Sequence, residues 1–286
     1  MPVQEFFVDL HVHTNFSDGA LSPSETVELA SKLKLAAISI TDHDTVDGFE
    51  EAFEAGKKFG VEVISGVELS SELETLKKHE THILGYYVNT KSKTLQDTLN
   101  IFKKTRIKRA NEILKKLSGL GVNLKSEELL KDADKGVIGR LHFAKAIVEE
   151  EFAANISDAF YKYLSPDKPA YVPKMVISPK DAIELIIKAG GIPVLAHPYY
   201  GHYCNKNVLK GLINDGLMGI EAWHIKHPAS VVKKFLALAS ELDLIPTGGS
   251  DCHGPFKEEA AVLGKVKVPY SVVEALENKR KQLNTL

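Results

Sequence analysis

Short apolar runs alternate with amphipathic stretches almost from the first residue, and that alternation sharply limits the folds open to this chain. Seven runs read as strands: Phe6–Val12, Ala36–Thr41, Glu62–Glu68, Thr81–Val88, Ile192–His197, Gly219–Trp223 and Leu244–Gly249. Several are near-continuous in Val, Ile and Leu, as expected of parallel strands covered on both faces. The stretches between them carry helix signals. Ser22-Pro23-Ser24-Glu25 offers a capping serine, a proline at the first helical position and a glutamate three residues on, and Ser178-Pro179-Lys180-Asp181 repeats the device. Gly190-Gly191 ends the second of these helices. Repeated strand–helix units imply the α/β class with a parallel sheet, and seven of them favour a closed (β/α) barrel over an open sheet. At 286 residues the chain fits one such barrel without a second domain.

One region breaks the pattern. From Thr94 to about Pro169 the periodicity is helical throughout, which divides the chain into a barrel (1–93 and 170–286) and a helical insertion (94–169). Residues 95–131 hold nine basic residues, Lys103, Lys104, Arg106, Lys108, Arg109, Lys115, Lys116, Lys125 and Lys131, against Asp97, Glu112, Glu127 and Glu128. A solvated helix face is the favoured reading of this run; a surface that meets phosphate is the alternative.

Composition narrows the class. With 36 basic and 38 acidic residues the formal charge is −2, which argues against a protein that coats nucleic acid. Only Cys204 and Cys252 are present, so no disulfide framework exists. No apolar run is long enough to span a membrane, and Met1–Glu5 lacks the layout of a signal peptide. A cytoplasmic enzyme or binding protein is expected, with no membrane and no obligate protein partner.

The eleven histidines are then the feature to explain. His11, His13, His43, His197 and His253 fall at or just beyond the C-terminal ends of strands, where parallel barrels gather their active sites. His82 enters its strand instead of leaving it, an exception to this rule. His11 and His13 are two apart on an extended segment and so point to one side, and Asp251 and His253 repeat that spacing. Asp18 in Ser17-Asp18-Gly19 and Glu68 after Gly66-Val67 add carboxylates. These nine nitrogen and oxygen donors on six segments suit Zn, Mn or Fe, and they exceed the needs of one ion, so two or three metals are implied. Any one of these residues alone reads as a turn or a core residue. Glu221, Asp42 and Asp44 suit the support of ligand histidines, with a helix cap as the other reading of Asp44. His142, His224 and His227 are candidates for the substrate side, whereas His79 and His202 read as surface loop residues. Cys252, between two donors, should face the core. Trp223 and Tyr199-Tyr200 either stack on a base or pack the rim.

These segments also carry a likeness. Asp9-Leu10-His11-Val12-His13 with Ser17-Asp18-Gly19, Thr41-Asp42-His43-Asp44, Gly66-Val67-Glu68, His82-Ile83-Leu84-Gly85, Ala196-His197-Pro198, Gly219-Ile220-Glu221 and Gly249-Ser250-Asp251-Cys252-His253 resemble, in order, the motifs of the PHP (polymerase and histidinol phosphatase) family. The resemblance implies a distorted seven-stranded, TIM-like (β/α) barrel with up to three metals. It implies one ion on His11, His13, Glu68 and Asp251, a second on Glu68, His82 and His197, and a third on Asp18, His43 and His253. Within the family the insertion is similar to that of the RNase AM subgroup, which acts on nucleoside 3′,5′-bisphosphates and RNA 5′ ends. Gly139-Arg140-Leu141-His142 matches its Gly-Arg-Pro-His motif except that leucine replaces proline, and Lys168–Lys174 also matches.

The resemblance therefore implies a phosphoesterase in which a metal-activated hydroxide attacks a terminal phosphate of a nucleotide or short RNA. Arg140 would contact the phosphate, with Lys174 and His142 as further substrate contacts. By residue type alone, Arg140 is an arginine at a helix end. Two other readings stay open: a phosphatase of a small metabolite such as histidinol phosphate, and a metal-binding module without turnover.

Overall fold

The computed structural model describes residues 6–72, 80–124, 138–198, 205–255 and 260–283. Tyr199, Tyr200, His79, His202, Cys204, Lys125, Lys131, Glu127 and Glu128 lie outside the described residues. Eight strands form one sheet: β1 (Phe7–Val12), β2 (Ala37–Ile40), β3 (Glu62–Glu72), β4 (Glu80–Tyr86), β5 (Ile192–Leu195), β6 (Gly219–His224), β7 (Ile245–Gly249) and β8 (Val268–Pro269). Their spatial order is β7-β6-β5-β4-β3-β2-β1-β8. The first seven coincide closely with the apolar runs, and β8 is a two-residue addition that pairs antiparallel with β1. The sheet nearly closes into a barrel. Val12 bridges Cys252 just beyond β7, where His13 N–H donates to Cys252 O at 2.9 Å.

A glycine permits that closure. A Cβ on Gly249 would stand 2.3 Å from His11 N, so any side chain there would push β7 off β1. The small residues before Asp251 thus serve strand approach. Asp9 reinforces the seam, its buried carboxylate accepting from Ser250 N at 2.8 Å and Gly264 N at 2.9 Å.

The expectation of an all-parallel sheet is corrected at β4. It runs antiparallel to both β3 and β5, with Glu68 opposite Leu84 and Ile83 opposite Leu195. An antiparallel pair needs no crossover helix, and β3 extends four residues past Glu68 to pair with β4. The start of β4, not its end, therefore lies at the barrel mouth, which resolves the position of His82.

Helices α1 (Pro23–Lys32), α2 (Phe49–Phe59), α3 (Lys93–Gly119), α4 (Arg140–Glu149), α5 (Ile156–Ala159), α6 (Pro179–Lys188), α7 (Lys206–Asn214), α8 (Ala229–Glu241) and α9 (Ser271–Leu283) complete the described elements, with a π-helical turn at Phe160–Leu164. The serine caps form as expected. Ser22 Oγ accepts from Glu25 N while Glu25 Oε2 accepts from Ser22 N, and Ser178 Oγ accepts from Asp181 N. Helix α3 joins two cores. Its Leu95, Leu99 and Phe102 pack with Leu69, Ile83 and Ile186, while Ile113 and Leu117 pack with Phe143, Ile147 and Leu164. No described helix is long and apolar enough to cross a membrane.

Candidate metal centre and its cationic cavity

The nine expected donors converge at the barrel mouth, around Glu68. This side chain is fully buried in mid-β3 and faces five imidazoles. Its Oε2 lies 3.3 Å from His11 Nε2, 3.2 Å from His13 Nε2 and 3.0 Å from His43 Nδ1. Its Oε1 lies 2.7 Å from His82 Nδ1 and 2.9 Å from His197 Nε2. Asp251 Oδ1 closes one flank, 3.1 Å from His13 Nε2 and 3.5 Å from His11 Nε2. On the other flank Asp18 Oδ1 is 3.2 Å from His253 Nε2, and its Oδ2 is 4.0 Å from His43 Nε2. Three groups could each hold an ion: His11, His13 and Glu68; His13, Asp18, His43 and His253; and His43, Glu68 and His82.

The donors fit divalent metal. His11 Nε2, His13 Nε2, His43 Nδ1, Asp18 Oδ1 and Glu68 Oε2 are all buried and make no hydrogen bond. Left so, each would cost about 1–3 kcal/mol or more, a penalty that coordination removes. Tautomers are set to match. His11 Nδ1–H donates to Glu221 Oε1 at 2.9 Å and His253 Nδ1–H donates to Asp251 O at 2.9 Å, so in the neutral imidazole that a metal requires each Nε2 would be the electron-pair donor.

Electrostatics keep the carboxylates charged. Burial opposes ionisation of Glu68, but His43, His82 and His11 outweigh it and hold its carboxyl well below the usual range. Asp18 is likewise lowered by His253 and His43, and Asp251 by His11 and His13, against burial. Burial keeps His43 well below its ordinary value, against the pull of Glu68 and Asp18. For His13 burial is overcome by Asp251 and Glu68, which lift it to about 10.

Three residues at the mouth occupy left-handed backbone: Asp44 at φ +51°, Asp251 at +53° and His197 at +25°. Such positions cost about 1–3 kcal/mol each and persist where surrounding contacts hold them. Asp42 organises the loop that carries Asp18, accepting from Thr14 N at 2.7 Å, Thr14 Oγ1 at 2.6 Å and Ser17 Oγ at 2.5 Å. Asp44 does not cap α2, whose N-cap is Gly48, and its backbone N–H donates to Glu68 O at 3.0 Å. It accepts from Ser70 N at 2.7 Å and forms an ion pair with Arg106 Nη2.

Above the donors opens a cavity of about 160 Å³ whose lining joins Asp18, His43 and His82 to Arg106, Arg109, Arg140 and Lys174. Here the solvated-face reading of the basic run holds for the lysines of α3 that stay exposed and is corrected at two arginines. Lys104, Lys108, Lys115 and Lys116 are exposed, but Arg106 and Arg109 are only 6% exposed and turn inward. Their spacing signalled it: Leu95, Leu99, Phe102, Arg106, Arg109, Ile113 and Leu117 recur at helical period, so the two arginines stand within the buried stripe of α3. Counting charges hid what their phase shows. Arg106 Nη2 also donates to Ser70 Oγ at 3.0 Å, and Lys174 Nζ reaches the same hydroxyl at 3.2 Å. Burial and Arg109 lower Arg106 to about 9, still cationic at neutral pH.

Arg140 lines the cavity from the first turn of α4, held between the rings of Phe160 and Tyr171. His142 turns back on its own helix instead, its Nδ1 accepting from Gly139 N at 3.1 Å. His224 and His227 are not among the residues that line this cavity. His224 is buried with Nε2 3.4 Å from Asp251 Oδ2, and His227 is buried with Nδ1–H donating to Ala222 O. Trp223 packs between two core clusters, and Cys252 is a buried core thiol. Lys145, which the sequence did not single out, donates to Asp18 O at 3.2 Å.

A (β/α) barrel with clustered histidines and carboxylates below a cationic cavity defines a metal-dependent phosphoesterase, and comparison with known proteins agrees. The chain belongs to the PHP domain family, whose model matches residues 9–165. It is 33% identical over 254 residues to a 3′,5′-nucleoside bisphosphate phosphatase of Chromobacterium violaceum, covering 87% of each chain. It is 34% identical to a 5′-3′ exoribonuclease of Haemophilus influenzae, covering 86% of this chain and 90% of the relative. Among solved structures, one described as a metal-dependent phosphoesterase from Bifidobacterium adolescentis superposes with a TM-score of 0.86 at 30% identity, covering 96% of both chains. An amidohydrolase from Chromobacterium violaceum with bound sulfate gives 0.84 at 30% identity, covering 95% of this chain and 96% of that one.

Proposed function

We propose that this enzyme removes terminal phosphate from nucleotides, as a 3′,5′-nucleoside bisphosphate phosphatase, a 5′-3′ exoribonuclease on short RNA, or both. The observation that carries the reading is the shared cavity: Asp18, His43 and His82 meet Arg106, Arg109, Arg140 and Lys174 in one space. In this assignment His11, His13, Glu68 and Asp251 hold one ion, Glu68, His82 and His197 a second, and Asp18, His43 and His253 a third. Mn, Fe and Zn all accept these donors. When bound, the ions supply an activated water and neutralise phosphoryl oxygens.

The chain's own residues do the remaining work. Arg140 and Lys174 bind the phosphate, and Arg106, preset by Asp44 and Ser70, adds a positive charge beside it. His142 serves by holding the first turn of α4, which aims Arg140. The free, buried Cys252 thiol is consistent with action in the cytoplasm.

The test is phosphate release by Mn-loaded protein from adenosine 3′,5′-bisphosphate, short 5′-phosphorylated RNA and histidinol phosphate. Release from either nucleotide substrate is the expected result. Release from histidinol phosphate alone would overturn the nucleotide reading, and silence on all three at full metal occupancy would leave a non-catalytic module.

A further inference from the structure

Glu221 stands behind the centre at the meeting of three strands, fully buried, and spends its two oxygens on two different segments. Oε1 accepts from His11 Nδ1–H at 2.9 Å, across 210 residues of sequence. Oε2 accepts from the backbone N–H of His197 at 2.6 Å. The second contact falls on a strained residue, since His197 sits at φ +25° immediately before Pro198, where extended backbone is the norm.

We propose that Glu221 is a positioning residue that sets the tautomer of His11 and the backbone of His197 together, so that both present nitrogen toward Glu68. This rests on the assignment of His11 and His197 as metal ligands. A ligating His11 must carry its one proton on Nδ1, because Nε2 faces Glu68 Oε2 at 3.3 Å and Asp251 Oδ1 at 3.5 Å. Glu221 Oε1 accepts that proton at 2.9 Å, and among the described residues no other hydrogen-bond partner stands at Nδ1. On the other side, a backbone N–H is always a donor. Position 221 must therefore accept at both of its side-chain terminal atoms, and only a carboxylate offers two acceptor oxygens there.

Glu221→Gln separates the two demands. Its single amide oxygen must face the His197 N–H, so the amide NH₂ faces His11 Nδ1. Either two donors oppose each other or His11 moves its proton to Nε2, into the metal position. Both outcomes weaken metal binding while shape and size are kept.

The experiment uses Zn-loaded protein. Zinc is titrated by calorimetry, bound zinc is counted, and the imidazole N–H signals are read by nitrogen-15 NMR. The wild type should show a slowly exchanging His11 Nδ1–H. Glu221→Gln should lose that signal, bind the His11-dependent ion about 10–100-fold more weakly, and recover turnover when metal is raised in proportion. A merely structural defect would not be rescued by metal. In a His11→Ala background the Gln change should add little to the loss through His11, a test of coupling. Unchanged zinc affinity with the His11 Nδ1–H signal intact in Glu221→Gln would overturn the proposal. Where that variant does not fold, a wild-type His11 carrying its proton on Nε2 would overturn it as well. A wild type that binds no zinc would remove the metal assignment itself, and this inference with it.

Discussion

His82 Nδ1 lies 2.7 Å from Glu68 Oε1 although the strands that carry them run in opposite directions. The reversal of β4 brings this about. A parallel β4 would place its first residues at the closed end of the barrel, far from Glu68. Running antiparallel, it pairs His82 with Ser70, two residues beyond Glu68, and the imidazole reaches back to the carboxylate.

The inward arginines of α3 lead to a contrast within one helix. Arg106→Ala and Arg109→Ala should each lower kcat/KM on a phosphorylated substrate about 10–100-fold, from the loss of a charged hydrogen bond of about 1.5–3 kcal/mol. Arg106→Lys should not restore it, because the planar fork is lost. Lys104→Ala, on the exposed face, should change kcat/KM less than twofold. Metal content should stay at the wild-type value in all of them. Equal losses from Arg106 and Lys104 would return the run to a diffuse electrostatic role.

Asp44 and Arg106 form a buried ion pair between the barrel and α3. Asp44→Ala leaves a guanidinium buried without its carboxylate and should cost about 3–5 kcal/mol in urea denaturation. Adding Arg106→Met should recover part of that loss, since an apolar side chain of similar length needs no counter-charge. No recovery would show that Asp44 acts through Ser70 N alone.

Removal of metal by a chelator should make stability depend on pH in two directions. His13 is lifted to about 10 by Asp251 and Glu68 against burial, so its contribution is complete below about 6.5 and is lost as pH rises toward 10. Glu68, Asp18 and Asp251 are lowered by their histidine neighbours, so their contribution is lost as pH falls below the normal carboxylate range. Metal requires a neutral His13, so loading should release protons near pH 7 and tighten as pH rises. Thermal unfolding of the metal-free protein from about pH 2 to about pH 10, which covers the loss below the carboxylate range and the loss on the alkaline side, checks the first claim. Calorimetry in buffers of different ionisation enthalpy checks the second, and absence of proton uptake by the buffer would contradict it.

Arg140 and His142 belong to the same motif yet hold different places. Arg140→Ala should lower turnover with metal content unchanged, whereas His142→Ala should remove the contact to Gly139 N and cost about 1 kcal/mol of stability. Turnover by His142→Ala should fall far less than by Arg140→Ala. A larger fall in His142→Ala, with stability preserved, would put its imidazole on the substrate.

The seven long strands and the nine donors were legible because each depends on local pattern. Apolar runs mark buried strands, and spacings such as His11-Val12-His13 put two imidazoles on one side wherever the strand lies. The chain by itself also determined the serine caps of α1 and α6 and the class of chemistry, since nitrogen and carboxylate donors without thiolates point to hydrolytic metals. Three things waited for the tertiary structure. The direction of β4 was one, because an apolar run reads alike in either orientation and only its pairing partners choose between them. The inward turn of Arg106 and Arg109 was another, since a charged residue on a buried stripe becomes favourable only when Asp44 and the cavity meet it there. The joining of His11 to His197 through Glu221 was the third. Two hydrogen bonds accepted by one carboxylate, across 210 and 24 residues, leave no local trace in the sequence. Closure of the barrel creates them.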